Sequence, residues 1–261
     1  MEENNKNMSY KKLVSILIPT RNRVQLLKEC LDSFNQKTNE KSLVELLIKI
    51  DTDDEETIKF VENYIPTSKI DIKVIISDRK NGYGSLHEYY NSLAKVSEAE
   101  FLFGMNDDIE ILTDSWEQQF KKYKNKSFIL GVNIEKVKDG VRSPMWGFGD
   151  GYNAHPSIPN DIFKFIGSLQ EHPMLDDWWV HITRPIRQMG LEMEKWLDIT
   201  LLFKRPDGYN TEREADETYL ESRVHINWNH HNSPQLFEYT NKVIEYINNN
   251  PEKFIEDEVS H

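Results

Sequence analysis

The chain has 261 residues, 38% of them hydrophobic and 29% charged, a balance that suits a folded globular protein and excludes a disordered one. Its net charge of −12, with Lys and Arg spread thinly, sets the surface against a nucleic-acid polymer; a small phosphorylated ligand held through a divalent cation stays compatible, because the ion supplies the positive charge. The lone cysteine, Cys30, excludes an intramolecular disulfide and a thiolate metal site, and fits a reducing compartment.

The N-terminal MEENNKNMSYKK has no apolar signal core, and the apolar run that follows, LVSILIP (13–19), is far too short to cross a bilayer. No transmembrane segment is expected, and a cytoplasmic location follows, with peripheral membrane association left open. LVSILIP reads as a strand, and VQLLKECLDSF (24–34) as a helix, with Leu27, Cys30, Leu31 and Phe34 at helical spacing. Cys30 is therefore expected to be a buried helix thiol rather than a nucleophile.

A second strand is expected over 43–50, then a helix that opens on acids and spaces Ile58, Val61 and Ile65 on one face. IDIKVIIS (70–77) alternates as a strand, SLHEYYNSLAKV (85–96) is helical, and FLFGM (101–105) is a fourth strand. This alternation predicts an α/β fold with a mostly parallel, doubly wound sheet flanked by helices. Ligands of such sheets bind outside the carboxyl ends of the strands. Thr20 and Arg21, Asp51, Asp78, and Asn106, Asp107 and Asp108 follow the four strands in turn, so they are expected along one edge.

The remainder is less regular. The Gly-, Pro- and aromatic-rich segment 143–161 predicts a long ordered loop. MLDDWWVHITRPIRQMG (174–190) is expected to be partly helical, with Pro185 breaking any continuous helix. WLDITLLFK (196–204) is apolar, and from Ser233 onward Leu236, Tyr239, Val243 and Ile247 mark a C-terminal helix.

Four segments together resemble glycosyltransferase family 2. SILIPTRNRVQLLKECLDSF is similar to that family's opening strand, P-T-x-N-R loop and helix. IKIDTDDEET resembles its nucleotide-binding motif, with Asp51, Glu55 and Thr57 at matching positions. RKNGYGSLHEYYNSLAKVSEAEFLFGMNDDIEI resembles its N-x-G, helix, strand and acidic metal motif, with NDD in place of the usual DxD. LDD at 175–177 resembles, more distantly, its acidic pair on the acceptor side. The resemblance implies a GT-A fold, Rossmann-like, with a C-terminal helical extension. Residues 10–232 would form one transferase domain, with a nucleotide-binding half at 10–116 and an acceptor-side half at 117–232; a helix and tail would occupy 233–261.

The implied activity is metal-dependent, inverting transfer of a sugar from a nucleotide-diphosphate donor, a UDP-sugar favoured, to a hydroxyl of a glycan or other acceptor. Asp108 is the expected ligand of Mn²⁺ or Mg²⁺, which stabilises charge developing on the departing diphosphate. Asp107 would sit by the ribose or assist the metal, with Asn106 nearby. Asp51 would accept a hydrogen bond from the base; after the third strand either Asp78 would contact the base or a cation, Arg79 or Lys80, the diphosphate, and Thr20, Arg21 and Gly84 would line the donor site. An acceptor hydroxyl needs a base, for which Asp177 is the choice and Asp176 the second. His225 is the candidate to complete the metal shell, with His230 and His231 beside it. Trp146, Trp178 and Trp179 are candidates for stacking on a sugar face.

Each acid also has an ordinary reading. An isolated NDD or DD is a cap, a helix start or a solvated turn, and Gly84 can serve a turn alone. Asp51, Asp53, Glu55 and Glu62 have the acidic spacing of an EF-hand-like loop, but Glu56 stands where such a loop needs glycine. Two rival functions remain at this level: a non-catalytic nucleotide-sugar-binding protein, and a sugar-phosphate nucleotidyltransferase, whose glycine-rich loop PTRNRVQ lacks. A homodimer through the C-terminal helix is a further possibility.

Overall fold

Six consecutive residues of the first strand, Leu13 to Ile18, are buried, which requires a strand covered on both faces. The computed structural model describes residues 10–138, 140–147, 152–204 and 233–256. Strand β1 (Lys12–Pro19) lies between β2 (Val44–Asp51) and β4 (Ala99–Gly104), parallel to both, and β3 (Asp71–Ser77) adds in parallel beyond β2. The registers Pro19 with Lys49, Leu17 with Gly104, and Asp51 with Ser77 bring the carboxyl ends of these strands to one edge.

The sheet continues through β5 (Ile109–Ile111), β6 (Ile129–Lys138), β7 (Val141–Trp146), β8 (Ser157–Pro159) and β9 (Glu194–Phe203), in the order β3-β2-β1-β4-β8-β6-β9-β5, with β7 paired to β6. Strand β8 is antiparallel to β4, and β6 runs parallel to β9, so the sheet is mixed beyond its parallel half. The alternation of side chains divides the core in two. Ile16, Ile18, Leu46 and Ile48 join α1 (Val24–Lys37), α2 (Glu55–Tyr64) and α4 (Glu117–Lys121) on one face. Leu17 and Leu47 join α3 (Leu86–Lys95), α5 (Asn160–Ile166), α6 (Leu175–Gln188) and α7 (Pro234–Asn249) on the other.

Three expectations are corrected. Segment 143–161 is not one long loop: it completes β7, contributes β8 and opens α5, because Ser157, Ile158 and Pro159 are buried against β4. Pro185 does not interrupt α6. It lies in the last turn, where it removes one amide donor, while the buried stripe Leu175, Trp178, Trp179, Ile182 and Ile186 holds the helix down. Each such side chain contributes about 1.5–3 kcal/mol, so together they outweigh the ~3 kcal/mol of an interior proline. Trp178 and Trp179 are core residues rather than a sugar platform, each 1% exposed and edge-on to Tyr239 at 5.4 and 5.8 Å between ring centroids. The side chain of Trp146 lies outside the described set.

The apolar stripe of α7 is used within the chain, against α5 and α6, through Leu236, Tyr239, Val243 and Ile247, while Phe237 on its other side is 72% exposed. Cys30 is buried in α1, where burial pushes its thiol pKa well up, as an inert core thiol requires. Among the described residues no helix is long and apolar enough to cross a membrane.

Candidate active site

The edge formed by the ends of β1 to β4 gathers a connected set of charges. The turn after β4 carries Asp107 and Asp108, each only 3% exposed. Its far side is pinned by β5, which pairs with β9, and by the Lys204 amide, which donates to the Asp108 carbonyl at 3.0 Å. Thr20, after β1, donates from Oγ1 to Asp107 Oδ2 at 2.7 Å. Arg23 reaches across the same gap: Nη1 lies 2.6 Å from Asp107 Oδ1 and 3.4 Å from Asp108 Oδ2. Burial raises the Asp107 pKa, and the neighbouring Asp108 charge adds to the rise; Arg23 and Thr20 oppose it. Tyr90, from α3, donates its hydroxyl to the Met105 carbonyl at 3.1 Å and approaches Asn106 Oδ1 at 3.5 Å, fixing the start of the acidic turn.

Asp51 closes β2 and is held by two cations. Lys49, 1% exposed, contacts its Oδ1, and Arg21 Nη1 lies 3.2 Å from its Oδ2. The Lys49 ammonium also sits 3.9 Å from the centre of the Tyr89 ring, which partly offsets its loss of water. Arg21 forks onto Asp53 as well, with Nη2 2.9 Å from Oδ2. Asp54 caps α2 by accepting from the Thr57 amide at 3.2 Å, and also accepts from the Asn22 amide at 2.6 Å. That second bond ties the loop after β1 to the loop after β2.

Asp78 follows β3 and accepts from Thr52 Oγ1 at 3.0 Å, so it borders Asp51 on the same edge. Lys80 is engaged by Glu88 at the surface. Gly84 lies in a short 3₁₀ turn, Gly82–Ser85, ahead of α3, and its amide donates to the Asn81 carbonyl at 2.9 Å.

The acceptor-side acids reach this edge because Gly104, the last residue of β4, has no side chain. A Cβ there would lie 2.3 Å from Leu175 Cδ2, so the glycine allows the N-terminus of α6 to dock on the end of β4. Asp176 and Asp177 stand in that first helical turn. Asp176 accepts from the Tyr152 hydroxyl at 2.7 Å, and burial raises its pKa. His155 Nδ1 is 3.2 Å from the Gly104 carbonyl, which requires that nitrogen to carry the proton; burial lowers its pKa, so the ring is neutral. Asp177 is more open, with its side chain 26% exposed and Oδ1 3.5 Å from His181 Nε2. Burial raises the Tyr90 pKa, and the nearby charges of Asp107, Asp176 and Asp108 add to the rise.

The structure thus brings Thr20, Arg21, Asp51, Asp78, Asn106, Asp107 and Asp108 to one edge, with Asp176 and Asp177 beside it. His225, His230 and His231 lie outside the described residues. Arg23, Lys49, Tyr90, Tyr152 and His155 were not singled out from sequence. Arg23 had a signal, since PTRNR carries two arginines at a strand end. Lys49 had one too, as a lysine inside an otherwise apolar strand. Tyr152 and His155 sit in the irregular segment, where no periodicity assigns a partner.

A mostly parallel sheet flanked by helices in this arrangement is the GT-A fold. TarS of S. aureus is similar: its residues 1–349 in complex with UDP-GlcNAc align at TM-score 0.59 and 15% identity, over 91% of this chain and 74% of that one. The same segment with UDP aligns at TM-score 0.55 and 16% identity over 74% of this chain, which spans 58% of that chain's length. A further TarS 1–349 structure aligns at TM-score 0.52 and 16% identity, again over 74% and 58% of the two chains. No curated protein matches in sequence. The family model described as "Glycosyl transferase family 2" matches residues 15–177, and the chain belongs to that family.

Proposed function

We propose that the protein transfers a sugar, with inversion and with the help of a divalent cation, from a nucleotide-diphosphate donor to a hydroxyl acceptor. The observation that carries this reading is the convergence of Asp51, Asp78, Asp107 and Asp108 on one edge, with the acids of α6 docked beside them through Gly104. A uridine donor is favoured because the TarS neighbours bind UDP and UDP-GlcNAc. Membership in the family favours a transferase over a nucleotidyltransferase.

The donor set suits a hard cation. Among the described residues no group of three or more His, Cys, Asp and Glu side chains converges on one point. Mg²⁺ and Mn²⁺ at phosphate sites characteristically take one or two carboxylates and complete their shell with phosphate oxygens and water. Asp108 and Asp107 are such a pair. When bound, the ion would supply Lewis-acid stabilisation of the charge on the departing diphosphate.

The chain's own residues would do the rest. Asp51 and Asp78 border the place for the base, and Thr20 holds the Asp107 carboxylate in one orientation. Asp177 is the proposed base, since its carboxylate is the more accessible of the two and can take the acceptor's proton. Asp176, fixed by Tyr152 and raised by burial, would orient the helix start and stand as the second choice. Tyr90, in van der Waals range of a Cβ placed at Gly104, helps close the floor between the two halves.

Incubation with UDP-, GDP- and dTDP-sugars and Mn²⁺, followed by NMR of the released sugar, tests this reading. Metal-stimulated hydrolysis or transfer from one donor class is expected, with product of inverted anomeric configuration. Binding without turnover of any donor would favour a nucleotide-sugar-binding role, and retained configuration would overturn the single-base mechanism.

A further inference from the structure

The carboxylates assigned to the metal already face a positive charge. Arg23 touches both: 2.6 Å to Asp107 Oδ1 and 3.4 Å to Asp108 Oδ2. Its side chain is 32% exposed, whereas those of Asp107 and Asp108 are 5% and 4% exposed. The guanidinium therefore covers the pair from the solvent side and has room to leave.

Its placement is built in by the loop after β1. Asn22 adopts φ of 52°, a left-handed conformation that asparagine tolerates better than most residues, and its amide is anchored to Asp54. The Arg23 carbonyl accepts from the Leu27 amide at 2.9 Å, as the first bond of α1. The arginine thus leaves the backbone from a fixed point at a helix start. Several other cations along this edge have partners of their own: Arg21 and Lys49 with Asp51, Lys80 with Glu88, and Lys204 with Glu29 and Glu110.

Two adjacent buried carboxylates repel one another, and each has lost water, so a counter-charge is required. A guanidinium and a divalent ion held at the same carboxylate pair repel each other, so the two cations compete for it. An arginine also binds phosphate well, through two parallel donors. A diphosphate arriving at this edge would offer Arg23 a new partner and offer the ion additional ligands.

We propose that Arg23 is an internal counter-cation that occupies the Asp107–Asp108 pair in the donor-free protein and yields it to the divalent ion when a nucleotide diphosphate binds. Metal and nucleotide then bind cooperatively, each strengthening the other by the same factor. The inference rests on the reading of Asp107 and Asp108 as the cation's ligands. Arg23 acts through them, as a positioning residue.

Electron paramagnetic resonance of Mn²⁺, titrated into the full chain with and without UDP, tests it on wild type, Arg23→Gln and Arg23→Lys. Without UDP, Arg23→Gln is expected to bind Mn²⁺ about tenfold more tightly than wild type, within the usual range of such coupling. UDP should tighten Mn²⁺ binding strongly in wild type and weakly in Arg23→Gln, with Arg23→Lys near wild type. Thermal melting provides a second readout that does not need a fully stable variant: Mn²⁺ should raise the Tm of Arg23→Gln more than that of wild type. Equal Mn²⁺ affinity of wild type and Arg23→Gln without UDP, with UDP still tightening the wild type, would overturn the role of Arg23 and leave the metal-assisted reading standing. Absence of Mn²⁺ binding by either protein, with or without UDP, would overturn both.

Discussion

Substitution of Asp51 by Asn separates what this carboxylate does for the fold from what it does for the ligand. Asp51 and Lys49 are 4% and 1% exposed, and they contact each other at the end of a fully buried strand. Removing the negative charge leaves the ammonium desolvated with an amide oxygen, the face of Tyr89 and no counter-ion. Breaking a buried pair from one side costs about 3–5 kcal/mol, and the ring contact offsets about 1–2 kcal/mol. Asp51→Asn should therefore lose roughly 1–4 kcal/mol of stability, as the difference of those two terms. Urea unfolding would read this as a lower midpoint at unchanged slope. Adding Lys49→Met to Asp51→Asn removes the stranded charge and should recover most of the loss. UDP affinity should not recover in the double variant, because the charged carboxylate proposed to accept from the base is still replaced by a weaker, neutral acceptor. If Asp51→Asn is within about 0.5 kcal/mol of wild type, the range of an ordinary surface change, the buried-pair argument is refuted.

Three more substitutions probe chemistry and pH dependence. Asp177→Asn should lower kcat by about 10²-fold or more, the scale of a lost general base, with UDP affinity unchanged; Asp176→Asn should cost less. Steady-state rates for the two variants would exchange these roles if the order were reversed. Glu100 behaves differently from the site acids: burial, reinforced by the nearby Asp161 charge, pushes its pKa from 4.5 up to about 7, although the Asn125 amide opposes the shift. Between these two values the folded protein retains a proton that the unfolded chain has released, so stability falls as pH rises through that window, by at most ~3 kcal/mol. Urea midpoints measured across it should decline in wild type and flatten in Glu100→Gln; the same slope in both proteins would contradict the assignment.

The parallel half of the fold was legible because each of its elements repeats a simple signal. Runs such as LVSILIP and VELLIKID are short and rich in apolar residues, and α1 to α3 show one buried stripe each. The strand-end rule then placed Thr20, Asp51, Asp78, Asp107 and Asp108 together. The second half was harder to read, because β7 and β8 are short strands that owe their conformation to partners distant in sequence. Pro185 misled for a related reason: local propensity disfavours the helix, and tertiary burial of Trp178, Trp179, Ile182 and Ile186 overrides it. The same burial removed two tryptophans from the ligand site. What sequence reading could not supply was pairing. NDD was expected to face a metal ion; Arg23, 84 residues from Asp107 and 85 from Asp108 along the chain, also faces it, a contact that no spacing announces.

The central claim is that the edge at the ends of β1 to β4 binds a nucleotide diphosphate through Asp51 and the Asp107–Asp108 turn. Calorimetric titration of UDP into wild type and Asp108→Asn, each with and without Mn²⁺, measures it directly. Wild type should bind UDP more tightly with Mn²⁺, and Asp108→Asn should lose that gain while remaining folded. No UDP binding by wild type under either condition, or an undiminished Mn²⁺ effect in Asp108→Asn, would contradict the account.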